Sequence, residues 1–359
     1  MNKIFQTFFL ILISFQSFAQ HDFDSLYKSN NDFKTYIKGI ADSYDFFSDT
    51  SVLEITFVSD FKGLIKNKYD REYQDAKIIL SFNDTVQINR NVQIKSRGNY
   101  RLSSCYFPPL KLNFKKEDVK LKQIKEFDKM KIVNNCKYSK SYEQYILLER
   151  LIYESYQLLT PMSFRTRLLK INYLDENDKV KPRSLYGFLI EPEDQLADRL
   201  NGLMIEPKNV TSRNVNPMSE NMMAVFNYMI GNTDYAIPAM HNIKIFKSND
   251  PTQYRPEVVP YDFDYAGLVD APYAIPHEAL GIENVKERLY RGICHDDVIF
   301  KNTYEIFLKN KDAIINLFES SELITKQNKS RVLFYIKEFY SIIENENRAK
   351  NNIQKNCLN

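Results

Sequence analysis

Asp234, Asn242, Asp262 and Asp264 are the side chains in this sequence whose types and spacing best suit chemistry. All four offer hard oxygen donors, the ligand type that Mg²⁺ takes and takes sparingly from protein. Residues 243–246 and 258–261 read as two short apolar strands, and Ser248-Asn249-Asp250-Pro251 between them is rich in turn formers. A hairpin brings its two ends together, so Asn242 should sit beside Asp262. Asp262 and Asp264 stand two apart and share a face if the strand continues. Two carboxylates on one face repel unless a cation or a basic group lies between them. Asp234 follows a helix that Ser219 caps, that shows Met222, Val225, Phe226 and Met229 on one face, and that ends at Gly231. An acid after Gly-Asn commonly caps a loop. Beside a bound phosphate it would instead position a hydroxyl and accept its proton.

The first half of the chain supplies the complementary charges. Arg97-Gly98-Asn99-Tyr100-Arg101 lies between two predicted strands, 86–95 and 109–114. A glycine flanked by basic and amide groups can cradle phosphate oxygens, although Gly-Asn also marks an ordinary turn. Lys111 alternates with Leu110 and Leu112, so it points away from their face and into either solvent or a cleft. In a cleft it would hold phosphates and pair with a carboxylate on the neighbouring helix, Glu149 first and Glu143 second.

These residues need elements to position them. Strand patterns cover 52–58, 76–82, 86–95, 109–114, 129–133, 165–173 and 185–191. One long helix, 141–159, interrupts them, with Tyr145, Leu148, Ile152, Tyr156 and Leu159 along one stripe and Pro161 beyond its end. After about residue 200 the pattern turns helical, with further helices at 302–318 and 325–343. With 359 residues the chain has room for one large domain or two smaller bodies. A net charge of +3, from 49 basic and 46 acidic residues, gives no bias toward nucleic acid. No G-x-S-x-G or C-x-x-C motif is present, and His241 and His295 form no metal cluster with the cysteines, so the common hydrolase and zinc readings lack support.

Residues 1–19 read as a signal peptide: Lys3 opens it, 4–15 is apolar, and Ser17-Phe18-Ala19 offers a cut before Gln20. The apolar run is shorter than the roughly 20 residues a membrane span needs. The expected product is therefore exported, in the periplasm, on the cell surface or secreted, with no transmembrane anchor after cleavage. Export makes the four cysteines worth pairing. Of three possible pairings, Cys105 with Cys136 and Cys294 with Cys357 keeps each bridge within one half of the chain.

Arg97-Gly98-Asn99, Lys111, the 141–159 helix, the stretch Tyr186-Gly187-Phe188-Leu189-Ile190-Glu191, Asp234 with Asn242, and Tyr261-Asp262-Phe263-Asp264 together resemble the spore-coat kinase-like (CotH-like) family, and more distantly the HipA-like kinases. The resemblance spans roughly residues 90–267. It implies an α+β, two-lobed protein-kinase-like fold: a sheet-rich N-lobe with one long helix over 51–200, and a mainly helical C-lobe over 201–345. An N-terminal arm (20–50) and a polar tail (346–359) would flank them. It also implies ATP and Mg²⁺ or Mn²⁺ as cofactors, and a Ser/Thr-bearing protein of the envelope or exterior as phosphate acceptor. Carried over, Arg97, Gly98, Asn99 and Lys111 bind phosphates, Glu149 pairs with Lys111, and Glu191 ends the hinge that meets adenine. Asp234 is the catalytic base, Asn242 and Asp262 bind metal, and Asp264 is a further metal contact. A pseudokinase-like protein that holds a nucleotide or partner without chemistry is the alternative, favoured by the long 235–240 insertion between Asp234 and Asn242.

Overall fold

The computed structural model of the chain describes residues 21–41, 45–81, 86–98, 100–114 and 129–359. The expected leader lies outside the described residues. The described residues open with a two-residue strand, β1 (His21–Asp22), and two helices, α1 (Phe23–Ser29) and α2 (Asn31–Ala41). Seven strands then dominate the first half: β2 (Leu53–Ser59), β3 (Gln74–Ser81), β4 (Val86–Ser96), β5 (Leu110–Phe114), β6 (Lys129–Val133), β7 (Thr166–Asp175) and β8 (Arg183–Ile190). Short helices α3 (Phe61–Lys66) and α4 (Tyr100–Ser104) fill two of the connections.

The expected two-lobed kinase-like fold, with its sheet-rich N-lobe and one long helix, is not what the chain builds: the first-half strands form a closed barrel, beside a smaller sheet and helices. The first-half strands run in the order β4-β3-β2-β7-β8-β6-β5, and β5 pairs back onto β4, so the sheet closes into a seven-stranded barrel. The barrel is mixed, because β2 and β7 are parallel while the other neighbours within it are antiparallel. Closure rests on β4, whose eleven residues pair with β3 on one edge and with β5 on the other. Its side chains alternate between buried and more exposed along its whole length. Val92 and Ile94 thereby join Phe57, Leu110, Leu112 and Ile171 in a core that fills the barrel. Closing the sheet also removes two edges that would otherwise stand unpaired.

The long helix is present as α5 (Lys140–Leu159), capped by the Ser139 hydroxyl and followed by Pro161. It is not the internal helix of a separate sheet lobe. Leu148, Ile152 and Tyr156 share one core with Phe188 on the outer side of β8 and with Phe226 and Met229 of the helical half. One helix thus joins the barrel wall to the helical body.

Beyond the barrel come α6 (Glu193–Arg199), β9 (Gly202–Ile205), α7 (Pro217–Ile230), β10 (Ile243–Ser248) and β11 (Glu257–Pro260). The last two strands form the predicted hairpin, with β9 on the outer side of β10. Helix α7 starts at an Asn216 cap, three residues earlier than the Ser219 reading, because the Asn216 amide oxygen accepts from the Met218 and Ser219 backbones. The helix expected at 302–318 is two, α8 (Asp297–Lys309) and α9 (Lys311–Ser320), broken where the Asn310 side chain takes the Ile306 carbonyl. Helices α10 (Lys326–Ile343) and α11 (Glu346–Asn352) complete the body.

Both favoured disulfides are formed, Cys105–Cys136 and Cys294–Cys357, with Cα atoms 4.6 and 4.9 Å apart. The second ties down a tail that composition alone leaves unanchored. No helix among the described residues is long and apolar enough to cross a membrane.

Candidate functional site

Helix α5 brings Glu149 into a buried polar cluster with Asp262, Asp264, Arg97 and Arg101, beside the 261–273 segment. Only 1% of the Glu149 surface is exposed, and neither carboxylate oxygen has a hydrogen-bond partner. Burial, then Asp264, then Asp262 push its pKa well above the usual carboxylate range, while Arg101 and Arg97 pull the other way. Asp264 is also buried and accepts a hydrogen bond from the Tyr273 hydroxyl at 3.0 Å. Burial and the neighbouring Asp262 push it up to about 7. Two carboxyls are thus held toward the neutral form by their surroundings, a pattern common at functional sites.

Asp262 follows β11 at the half-buried middle of this series. Its backbone N–H donates to the Tyr153 hydroxyl at 2.7 Å, and Tyr153 lies one helical turn beyond Glu149 on α5. The hairpin places Asn242 next to it, since the Tyr261 N–H donates to the Asn242 carbonyl at 3.0 Å. Asn242, at φ 52°, and Asp262, at φ 64°, both hold the left-handed backbone. That conformation is costly for most residues, tolerated by Asn and Asp, and concentrated at functional sites.

Asp234 is half-buried beside this cluster. Gly231 ends α7 at φ 67°, and a Cβ there would meet the Tyr335 hydroxyl at 2.1 Å, so only glycine fits this exit. The Asp234 carboxylate is bracketed: His241 Nε2 lies 2.9 Å from one oxygen, and Asn242 Nδ2 donates to the other at 2.9 Å. Asn242 Nδ2 also donates to the Asp234 carbonyl at 2.8 Å. The amide nitrogen is committed to Asp234, which leaves Oδ1 for another partner. Arg291 caps the neighbouring carbonyls of Thr233 and Tyr235. The four acids thus divide by burial: Glu149 and Asp264 lie inside, Asp262 and Asp234 are half-buried.

Two arginines face the acids. Arg97 donates to the Leu110 and Ile132 carbonyls, and Arg101 donates to the Asn134 carbonyl at 2.6 Å while its Nε is buried without a partner. Burial pulls the Arg97 pKa down, while Asp262 and Glu149 raise it. The carrier of Arg101, α4, is latched by the Tyr100 hydroxyl on the Tyr273 carbonyl and, one residue past its end, by the Cys105–Cys136 bridge.

Other expected contacts fall elsewhere. Lys111 does not pair with Glu149: it projects from the outer barrel wall, where its charged neighbours are Lys95, Lys129, Arg97 and Glu193. The reason is alternation on a closed sheet: Leu110 and Leu112 fill the barrel, so the opposite face of β5 lies outside it. Glu143, the second choice, accepts from the Tyr186 N–H. Glu191 is buried and fully engaged by Arg165 and Arg199, so it is an internal ion-pair hub with no free oxygen for a ligand. Gly98 takes φ 84° between β4 and α4, and Asn99 lies outside the described residues. The sequence points to Arg101 only as the end of the 97–101 stretch, and it gives no role to Tyr153, His241 or Tyr273. The spacing of four between Glu149 and Tyr153 was the available signal for one of them, and nothing in the sequence points to Tyr273.

The donors at the pocket are carboxylate and amide oxygens, with no sulfur among them, which fits Mg²⁺ or Mn²⁺. Among the described residues no three His, Cys, Asp or Glu side chains are already gathered as a metal cage. Mg²⁺ rarely has one: it takes one or two carboxylates and completes its shell with water and substrate phosphates. The oxygens of Glu149 are buried and without a hydrogen-bond partner, a departure from the usual satisfaction of buried polar groups. The chain matches no protein-family model and no curated protein sequence.

Proposed function

We propose that the chain is an exported phosphotransferase that binds a nucleoside triphosphate with Mg²⁺ or Mn²⁺ and passes the terminal phosphoryl group to a protein hydroxyl. The carrying observation is Glu149, buried with both oxygens unpartnered beside Asp262 and Asp264. Like charges so placed call for a cation, and the adjacent Arg97 and Arg101 call for an anion. A metal-chelated polyphosphate supplies both at once. Two disulfides support the exported setting.

A bound divalent ion would neutralise charge on the phosphate oxygens. Asp262, with Asn242 Oδ1, Asp264 and an oxygen of Glu149, would hold it. Arg97 and Arg101 would fix the phosphates and offset the charge that develops during transfer. Asp234, kept in place by His241 and Asn242, would orient the acceptor hydroxyl. The acceptor oxygen bonds to the terminal phosphorus as the bridging P–O bond breaks, the diphosphate leaves, and the hydroxyl proton passes to Asp234.

A second reading, ligand holding without transfer, is favoured by one observation: both Asp234 oxygens already have hydrogen-bond partners. Incubation with γ-labelled ATP, Mn²⁺ and Ser/Thr-bearing proteins of the same envelope separates the two. Label on protein with wild type, lost in Asp234→Asn while nucleotide binding persists, supports transfer. Binding without label in either protein supports the second reading.

A further inference from the structure

We infer that the outer barrel wall carries a docking surface for an acidic segment of the acceptor protein, formed by Lys95, Lys111 and Lys131 and continued by Lys244 to the rim of the pocket. The acceptor's identity rests on the phosphoryl-transfer reading above; the surface itself does not. Lys95 lies directly opposite Lys111, and Lys111 directly opposite Lys131, on the adjacent strands β4, β5 and β6. Ile94, Leu110, Leu112 and Ile132 fill the barrel, so alternation turns all three lysines outward.

Like charges placed opposite one another weaken a sheet. Among the described residues the row's carboxylate partner is Glu193, 3.3 Å from Lys131 and 3.0 Å from Lys244. Lys95 lies over the Tyr73 ring, and Lys111 makes no ion pair among the described residues. Burial and then Lys95, Lys129 and Arg97 push the Lys111 pKa down, with Glu193 opposing them. An anionic partner would relieve this crowding.

The shape of the row selects the partner. The strand amides are spent in the ladders, so the wall offers no nest of N–H groups to converge on one phosphate. Lysines are separate point charges here, about 4.8 Å apart from strand to strand. Separate charges on a flat wall suit several carboxylates along an extended chain. Lys131 and Lys244 both lie over the Tyr261 ring, at 5.2 and 5.9 Å, and Tyr261 precedes Asp262. An acidic segment on the row would therefore carry its flanking residues toward Tyr261 and Asp262.

The test uses the full chain and a labelled seven-residue peptide of glutamates around one serine, with its glutamine analogue as control. Wild type should bind the acidic peptide, more weakly at higher salt, and ignore the analogue. Lys95→Gln/Lys111→Gln should weaken peptide binding about tenfold and leave the nucleotide-induced melting shift unchanged. Lys95→Glu/Lys111→Glu should weaken it further. Unchanged peptide binding in both double variants overturns the inference. So does a lost nucleotide shift with peptide binding intact, which would make the row a phosphate site. If wild type shows no nucleotide shift at all yet loses peptide binding on substitution, the surface stands and the transfer reading fails.

Discussion

Glu149 and Asp264 carry a cost that the surrounding protein does not remove. Asp264 has an ordinary pKa of 3.8 and is pushed up to about 7 in the fold, by burial first and Asp262 second. A raised folded-state value means that the folded form keeps a proton that the unfolded chain has lost. Stability from this group is full below about pH 4, declines as pH rises, and is lost above about pH 7. Asp264→Asn keeps an oxygen for the Tyr273 hydroxyl and removes the charge. Its stability advantage over wild type should grow from pH 5 to pH 8, reaching about 1–3 kcal/mol. Urea unfolding at both pH values checks this. An advantage that is the same at both would place the Asp264 carboxyl in an ordinary environment.

At the scale of elements, α4 and α5 assemble the pocket, and the Cys105–Cys136 bridge holds them in register. Cys105 follows α4, and Cys136 lies two residues past Asn134, which receives Arg101 and also links to the Pro108 carbonyl and the Leu110 N–H. Closing a loop of this separation, 31 residues, stabilises a chain by about 3–4 kcal/mol in the loop-entropy model. Cys105→Ser/Cys136→Ser should lose that stability in urea. It should also weaken nucleotide binding more than Cys294→Ser/Cys357→Ser does, because the first bridge flanks the Arg101–Asn134 contact while the second joins the C-terminal tail. Equal losses of binding would deny the first bridge its role in the pocket. Much at this scale was legible in sequence. The hairpin followed from two short apolar runs around Ser248-Asn249-Asp250-Pro251, and its geometry placed Asn242 beside Asp262. Helix α5 followed from its apolar stripe and Pro161. Helix α4 was not legible, since five residues with one buried apolar side chain, Leu102, carry no periodic signal.

At the scale of the whole molecule, the barrel is what the sequence hid. Strand patterns state which residues face a core, and they are the same for an open sheet and a closed one. The decisive contact, β4 with β5, is a pairing between strands already assigned, and no residue announces it. Lys111 lies on the outside of the closed barrel, so the first-half charges that act on Glu149 are those of Arg97 and Arg101. The acids at 234, 262 and 264 were placed by local geometry that closure does not alter. The most direct test of the account is thermal melting with a panel of nucleoside triphosphates, with and without Mg²⁺ or Mn²⁺, for wild type and Glu149→Gln. Wild type should gain about 2–4 °C only when nucleotide and cation are both present, and Glu149→Gln, stable in itself, should show a much smaller gain. A gain without cation, or an equal gain in the variant, would contradict a cation-dependent nucleotide site at this pocket.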